Sequence, residues 1–320
     1  MRLIAAALAA LLVATPALAQ DWPGRDPIRI IVCAPGGSTV DLTARLWADA
    51  IKEQIGGHAI ITEPRAGAGG MIGAEAAARA RPDGQTLLVC FPGSFTMIPH
   101  LRSNLPIDPL NDLRPVALLA IAPFVFAADA RVARTLPEFL AKARAPGSDL
   151  SYASVGPGSL AHLGMELFKL RTGVRLEHVP YRGSPEAMTD LLGGRIAAFI
   201  TLLSAVQGHI AEGKVAALFV TGESRMGALP EVPTAREAGL PDLSVVTWHG
   251  LFVPRATPEP VVQRIAAAVA AARGSAALRE GLARAGSDLP HHGPAEAEAH
   301  IRAESETWRG VIQAAGITVQ

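Results

Sequence analysis

Ile28-Arg29-Ile30-Ile31-Val32-Cys33-Ala34-Pro35-Gly36-Gly37-Ser38-Thr39-Val40-Asp41 is the stretch from which the rest of the chain is read. Its first five residues are mostly β-branched and make a short strand of the buried type, since stiff branched side chains pack well on a pleated surface. Gly36 and Gly37 turn the chain. From Asp41 to Gln54 the apolar residues Leu42, Leu46, Trp47, Ala50 and Ile51 recur at helical spacing. Strand, glycine turn and amphipathic helix together are the opening half of a βαβ unit.

The unit recurs. His58 to Thr62 reads as a second strand, followed by a turn with Gly67, Gly69 and Gly70 and an Ala-rich helix to Arg79. Pro82-Asp83-Gly84 is a turn, and Thr86 to Cys90 a third strand. Further strands are predicted over Phe124–Ala127, Leu150–Ala153, Leu176–Val179, Ile196–Ile200, Ala216–Val220 and Trp248–Val253. Thr135-x-x-Glu138 and Thr234-x-x-Glu237 are capping boxes that predict helix starts, and Ser184-Pro185-Glu186 puts proline at a first helical position. After Thr257-Pro258-Glu259 the chain reads as mostly helical to Gly316. Strands alternating with helices imply an α/β fold with parallel-type sheets. The natural divisions fall near residues 115–125 and 243–250. They predict two domains, residues 24–118 with 248–320 and residues 119–247, joined by a hinge with a ligand cleft between them.

Lys plus Arg and Asp plus Glu are both 29, so the net charge is zero and no basic stripe offers itself to nucleic acid. Arg2, the apolar run Leu3–Ala14, the breaker Pro16 and the small-x-small sequence Ala17-Leu18-Ala19 predict a signal peptide over residues 1–19 and a periplasmic destination. The apolar run is too short for a spanning helix, which takes about 20 residues. Cys33 and Cys90 each end an apolar strand candidate. An oxidising compartment permits a disulfide between them, and two small buried thiols are the other reading.

Ligands of parallel α/β sheets bind beyond the carboxyl ends of the strands, and three glycine-rich turns fall there. In the first, Gly37, Ser38, Thr39 and Asp41 open a helix whose free N–H groups suit a carboxylate; Ser38 and Asp41 also read as a plain cap. The second contributes Ala68, Gly69 and Gly70. The third, Ser154-Val155-Gly156-Pro157-Gly158-Ser159, carries His162 one turn into the next helix. It also reads as G-x-G-x-x-A through Ala161, with Glu177 after the next strand, which keeps a dinucleotide-dependent enzyme as a distant alternative. No G-x-S-x-G, H-E-x-x-H or C-x-x-C signature is present, and the His291-His292 pair lacks further ligands at metal spacing. No catalytic residue, cofactor or metal is expected.

In order, Gly67-Ala68-Gly69-Gly70-x-Ile72-Gly73, Pro82-Asp83-Gly84-x-Thr86-Leu87-Leu88, Tyr152-x-Ser154-x-Gly156-x-Gly158-Ser159-x-x-His162-Leu163, Val179-Pro180-Tyr181-Arg182-Gly183 and Trp248-x-Gly250-Leu251-Phe252-x-Pro254 form a specific series. On these the chain resembles the tripartite tricarboxylate transporter receptor family, the Bug-type extracytoplasmic solute receptors. The resemblance implies a type II periplasmic-binding fold and a small carboxylate-bearing or related ligand. It implies a carboxylate held by the first two turns, with Ser154, Gly156, Ser159, His162, Thr201 and Ser204 facing it from the second domain. The expected partner is a membrane transporter, with a sensor kinase as the alternative, and the protein is expected to be a monomer. Cys33-Ala34 stands where a proline or aromatic is usual, Pro64 replaces an asparagine, and an acid usual late in the second domain is missing at Ala197 and at Thr201. That last departure predicts a less cationic distal ligand group.

Overall fold

The computed structural model describes residues 22–318, so the expected signal peptide lies outside the described residues. The chain opens with β1 (Ile28–Val32), α1 (Thr39–Gln54), β2 (Ile60–Pro64), α2 (Met71–Ala78) and β3 (Thr86–Cys90). β1 lies between β2 and β3, parallel to both, as βαβ units require. A π-helical turn, Gly93–Met97, then leads through α3 (Ile98–Leu101) and α4 (Pro109–Asp112) to β4 (Leu113–Asp129). The middle of the chain forms α5 (Leu136–Ala143), β5 (Ser151–Ser154), α6 (Leu160–Thr172), β6 (Glu177–Pro180), α7 (Ser184–Gly193), β7 (Ala198–Leu202), α8 (Leu203–Ala211) and β8 (Val215–Val220). The chain returns along β9 (Val246–Pro254) and finishes with α9 (Glu259–Ala272), α10 (Ala276–Arg284) and α11 (Pro294–Ala315).

Two lobes result; β4 pairs in the sheets of both, and β9 returns the chain to the sheet of the first. The first half of β4 pairs antiparallel with β9, from Leu113 opposite Pro254 to Pro123 opposite Val246. From Phe124 onward β4 leaves β9 and runs between β7 and β8. β9 in turn pairs with β3 through Leu88–Phe252 to Cys90–Gly250. The sequence predicts only Phe124–Ala127 here; the strand is 17 residues long. Its two prolines hide it, because proline cannot donate to a ladder and argues against a central strand. Pro115 is accommodated at a register shift before Ala117, and Pro123 at the point where β4 changes partners. A second shift leaves Leu119 unpaired between Leu118 and Ala120, and its carbonyl accepts the buried indole N–H of Trp47 at 2.9 Å. The bulge and the α1 core residue thus satisfy each other.

The apolar core divides with the lobes. Trp47, Ile30, Val253, Val262 and Ile265 share one buried cluster around α1 and α9. Phe126, Phe139, Phe168 and Phe219 form an aromatic centre in the other lobe, with ring centroids 4.7–5.3 Å from Phe126. α11 enters both lobes. Ala297 and Ile301 pack with Phe95, Trp248 and Phe252, while Trp308, Val311 and Ile312 pack with Phe124 and Phe126.

Most predicted starts and turns hold. Ser38 caps α1 by accepting from Asp41 N, and Thr135 caps α5 by accepting from Glu138 N. Thr234 and Glu237 make both capping-box bonds, at 2.8 and 3.1 Å, yet no helix follows; residues 235–239 form only turns. The box satisfies two backbone N–H groups whether or not the chain continues, and here Gly239 and Pro241 stop propagation. Among the described residues no single helix is long and apolar enough to cross a membrane.

Cys33 and Cys90 are joined in a disulfide with Cα atoms 5.2 Å apart. The register explains it: Val32 faces Val89 across parallel neighbours, so the next residue on each strand meets its counterpart. The bond closes a loop spanning 57 positions in sequence. The Cys33→Ala/Cys90→Ala variant is expected to lose about 2–4 kcal/mol of stability in denaturant unfolding. Reductant should destabilise the wild type by a similar amount, and an unmoved midpoint in both would exclude the bond.

Candidate functional site

The carboxyl ends of β1, β2 and β3 converge on one edge of the first lobe, where a cleft of about 580 Å³ opens towards the second. Thr39 and Val40 line it from the start of α1. Asp41 is buried and accepts from Gly37 N at 2.9 Å and from Arg45 Nε at 3.0 Å, while Ser38 Oγ takes the N–H of Asp41. Burial works against its charge, but Arg45 and the Gly37 N–H outweigh it and hold the Asp41 carboxyl below its ordinary range. Its Oδ1 is buried without a hydrogen-bond partner among the described residues. The donors that the first turn offers to the cleft are therefore the backbone N–H groups of the first helical turn, near Thr39 and Val40.

The second turn enters the cleft at Gly69, in the left-handed region at φ +66°. Its neighbour Gly70, at φ +96°, lies so close to Ser94 and the disulfide that a Cβ would stand 2.2 Å from Ser94 Oγ. Ser94 Oγ donates to Gly69 O at 2.8 Å, tying the turn to the segment after β3. That segment supplies Phe91, Pro92, Gly93, Met97, Ile98 and Leu101 to the cleft, with Arg102 exposed at the rim. It lies at a strand carboxyl end like the other two, so strand order alone could have flagged it; lacking a glycine cluster, it carried no motif.

From the second lobe come Phe124, Pro157, Gly158, Ser159, Leu160 and Leu202. The turn that carries Pro157, Gly158 and Ser159 rests on a polar stack. His162 and His178 are stacked with ring centroids 4.0 Å apart, and His178 lies on Tyr152 at 5.0 Å. Tyr152 donates to Glu166, which Lys169 also binds. Gly158 N donates to His162 Nδ1 at 3.0 Å, Ser159 Oγ donates to Gly156 O at 2.7 Å, and Ser154 Oγ sits 2.7 Å from His178 Nε2. Burial, with the neighbouring His178, lowers the pKa of His162 to about 4, and burial lowers His178 too. The His162 ring is therefore neutral at pH 7.

Of the residues predicted to hold a ligand, Thr39, Gly69 and Ser159 line the cleft. Gly37, Ser38, Asp41, Ala68 and Gly70 shape the first-lobe turns from outside that lining, and Ser154, Gly156 and His162 support the third turn from beneath. Thr201 and Ser204 line an adjoining cavity of about 350 Å³ that shares Phe124, Leu160 and Leu202 with the cleft. Sequence reading missed Thr247 and His249, which alternate with Trp248 along β9 so that both face the cleft. His249 Nδ1 lies 2.8 Å from Thr43 Oγ1, and burial lowers its pKa to about 4.

Residues 43–317 match the family described as the tripartite tricarboxylate transporter family receptor. The chain is 33% identical to protein BugT of Bordetella pertussis over 306 residues, covering 95% of this chain and 93% of that one. Among solved structures, a solute-binding protein of this type from Polaromonas without ligand superposes with a TM-score of 0.83 at 28% identity, over 92% of this chain and all of the other. The malate-bound MatC protein of Rhodopseudomonas palustris superposes with a TM-score of 0.68 at 32% identity, over 89% and 98%.

Behind the cleft wall, Trp248 points away from Thr247 and His249 and donates its indole N–H to Glu304 of α11 at 2.8 Å. Burial pushes the Glu304 carboxyl up to about 7, and the Trp248 bond only partly offsets that. The folded protein thus holds this proton more tightly than the unfolded chain, whose glutamate ionises near 4.5. Its contribution to stability is full below that value, falls as pH rises, and levels off above about 7. His162 and His249 act in the opposite sense: their contribution is full above about 6.5 and is lost as pH falls towards 4. Glu304→Gln should therefore stabilise the protein at pH 8 by roughly 1–2 kcal/mol and by little or nothing at pH 4.5. Urea unfolding at the two pH values measures this, and an identical difference at both would place the carboxyl in solvent.

Proposed function

The chain belongs to the tripartite tricarboxylate transporter receptor family, and from that premise we propose that it is an exported receptor that captures a small carboxylate-bearing molecule between its lobes and presents it to a membrane transporter. The observation that carries this reading is the meeting of the α1 N-terminus and the Gly69 turn at one end of a largely apolar cleft. Orphan helix N–H groups and the positive end of the helix dipole favour an anion there. Glycine at the left-handed position lets backbone approach it without a side chain between. The malate held by MatC supports the choice of a carboxylate.

In this proposal the lobes correspond to residues 24–118 with 248–320 and residues 119–247, and the final turns of α11 reach across to the second core. β4 and β9 are the connection about which the lobes close. The backbone agrees more closely with the ligand-free Polaromonas protein than with malate-bound MatC, although MatC is nearer in sequence. In this proposal the cleft stands open before ligand arrives, and ligand shifts the population towards the closed form that the membrane partner reads. The protein acts as a monomer and transforms nothing.

A thermal-shift screen of mono-, di- and tricarboxylates tests this. A ligand at 100 times its Kd should add about 2.7 kcal/mol to the stability of the fold. Gly69→Val should lower the affinity for any such ligand more than tenfold (about 1.4 kcal/mol). Its Cβ would meet Ile98 Cδ1 at 2.3 Å, so that side chain must move, and the φ of +66° strains a branched residue at this position. Unchanged affinity in a folded variant would remove the turn from the site.

A further inference from the structure

The two ends of the cleft differ in chemistry. Thr39 and Gly69 stand at the first-lobe end. Thr43 follows Thr39 by one helical turn on the same face of α1, and His249 is held against it. Thr43 Oγ1 has the His249 ring as its one hydrogen-bond partner among the described residues. If it accepted from Nδ1–H, its own proton would be stranded in a buried position, which costs about 1–3 kcal/mol. Thr43 therefore donates to Nδ1, and the proton of the neutral ring sits on Nε2. That nitrogen has no protein partner among the described residues and is not sealed from the cleft that His249 lines. His249 thus offers an uncharged N–H beside the α1 N-terminus.

The other end differs in chemistry. Phe124, Leu160 and Leu202 form the second-lobe wall, and Met97 and Ile98 continue it from the first. Ser159 and Thr247 are the polar side chains on the second-lobe side of the lining; both are uncharged, and Ser159 already donates to Gly156 O and accepts from His162 N. Arg102, the one cation among the described lining residues, is exposed at the rim. A second carboxylate placed deep against this wall would lose its hydration with no charged partner to replace it.

We propose that the cleft selects an amphipathic monocarboxylate, its carboxylate at the Thr39–Gly69–His249 end and an aromatic or aliphatic body along the Phe124–Leu160–Leu202 wall. The inference rests on the carboxylate reading given above. A dicarboxylate of the same length is disfavoured because its distal charge meets apolar side chains.

Titration calorimetry of the wild type with hexanoate and adipate, equal in carbon number, and with benzoate and malate, decides the matter. Hexanoate should bind at least about tenfold tighter than adipate, and benzoate tighter than malate. Adipate or malate binding as tightly as its counterpart would overturn the selectivity while leaving carboxylate capture intact. Binding by none of the four, nor by any acid in the wider screen, would overturn both. Leu160→Lys, at the partly exposed start of α6, places a cation on the wall and should narrow or reverse the hexanoate preference; an unchanged ratio would exclude the wall as its cause. His249→Gln should weaken hexanoate and adipate alike, by about tenfold, with their ratio preserved. Full affinity in that variant would remove the His249 N–H from the carboxylate end.

Discussion

The antiparallel pairing of β4 with β9 is the constraint on which the rest of the molecule depends. It is the outgoing and returning connection between the lobes, and the same two strands contribute to both the sheets and the cleft. β9 places Thr247 and His249 in the cleft and Trp248 in the opposite layer because side chains alternate along a strand. The partner change of β4 at Pro123 puts Phe124 at the floor between the lobes. Bulges near Pro115 and Leu119 absorb the bending that a strand of this length needs to serve two differently oriented sheets.

What the sequence made legible follows from local physics. The first βαβ units could be read from β-branched runs and glycine turns, since strand, turn and helix there are each specified by neighbouring residues. The first half of β4 could not, because its stability comes from a partner more than 120 positions away in β9, while its own prolines speak against a strand. The capping box at Thr234 misled for the same reason. It specifies a local hydrogen-bond exchange, and whether a helix follows depends on residues beyond it. Gly69, Thr39 and Ser159 could be placed at the cleft because glycine turns and helix starts mark the strand ends where it opens. His249 and Phe124 were not, since nothing local separates a strand residue facing a cleft from one facing a core.

The cleft is built with almost no net charge. The donors proposed for it are backbone N–H groups and a neutral imidazole, and the Asp41 carboxylate beside it is turned to Gly37 and Arg45. The imidazoles under the third turn have their pKa values lowered by burial and serve as hydrogen-bonding struts. Dipoles fixed by the fold can hold an anion without a salt bridge, so recognition rests on direction and fit more than on long-range attraction.

The Cys33–Cys90 bond sits under this arrangement. It joins the strand that feeds the first turn to the strand that feeds the Phe91–Ile98 wall, and the second turn packs directly on it at Gly70 and Gly73. Three walls of the first-lobe pocket are thereby one mechanical body before any ligand arrives. If a ligand binds there as proposed, ordering them would add little entropy cost, and one rigid half of the site would meet every ligand alike. In the proposed receptor, differences in residence time between ligands would then arise in the other half, according to how well the apolar wall of the second lobe covers the bound molecule.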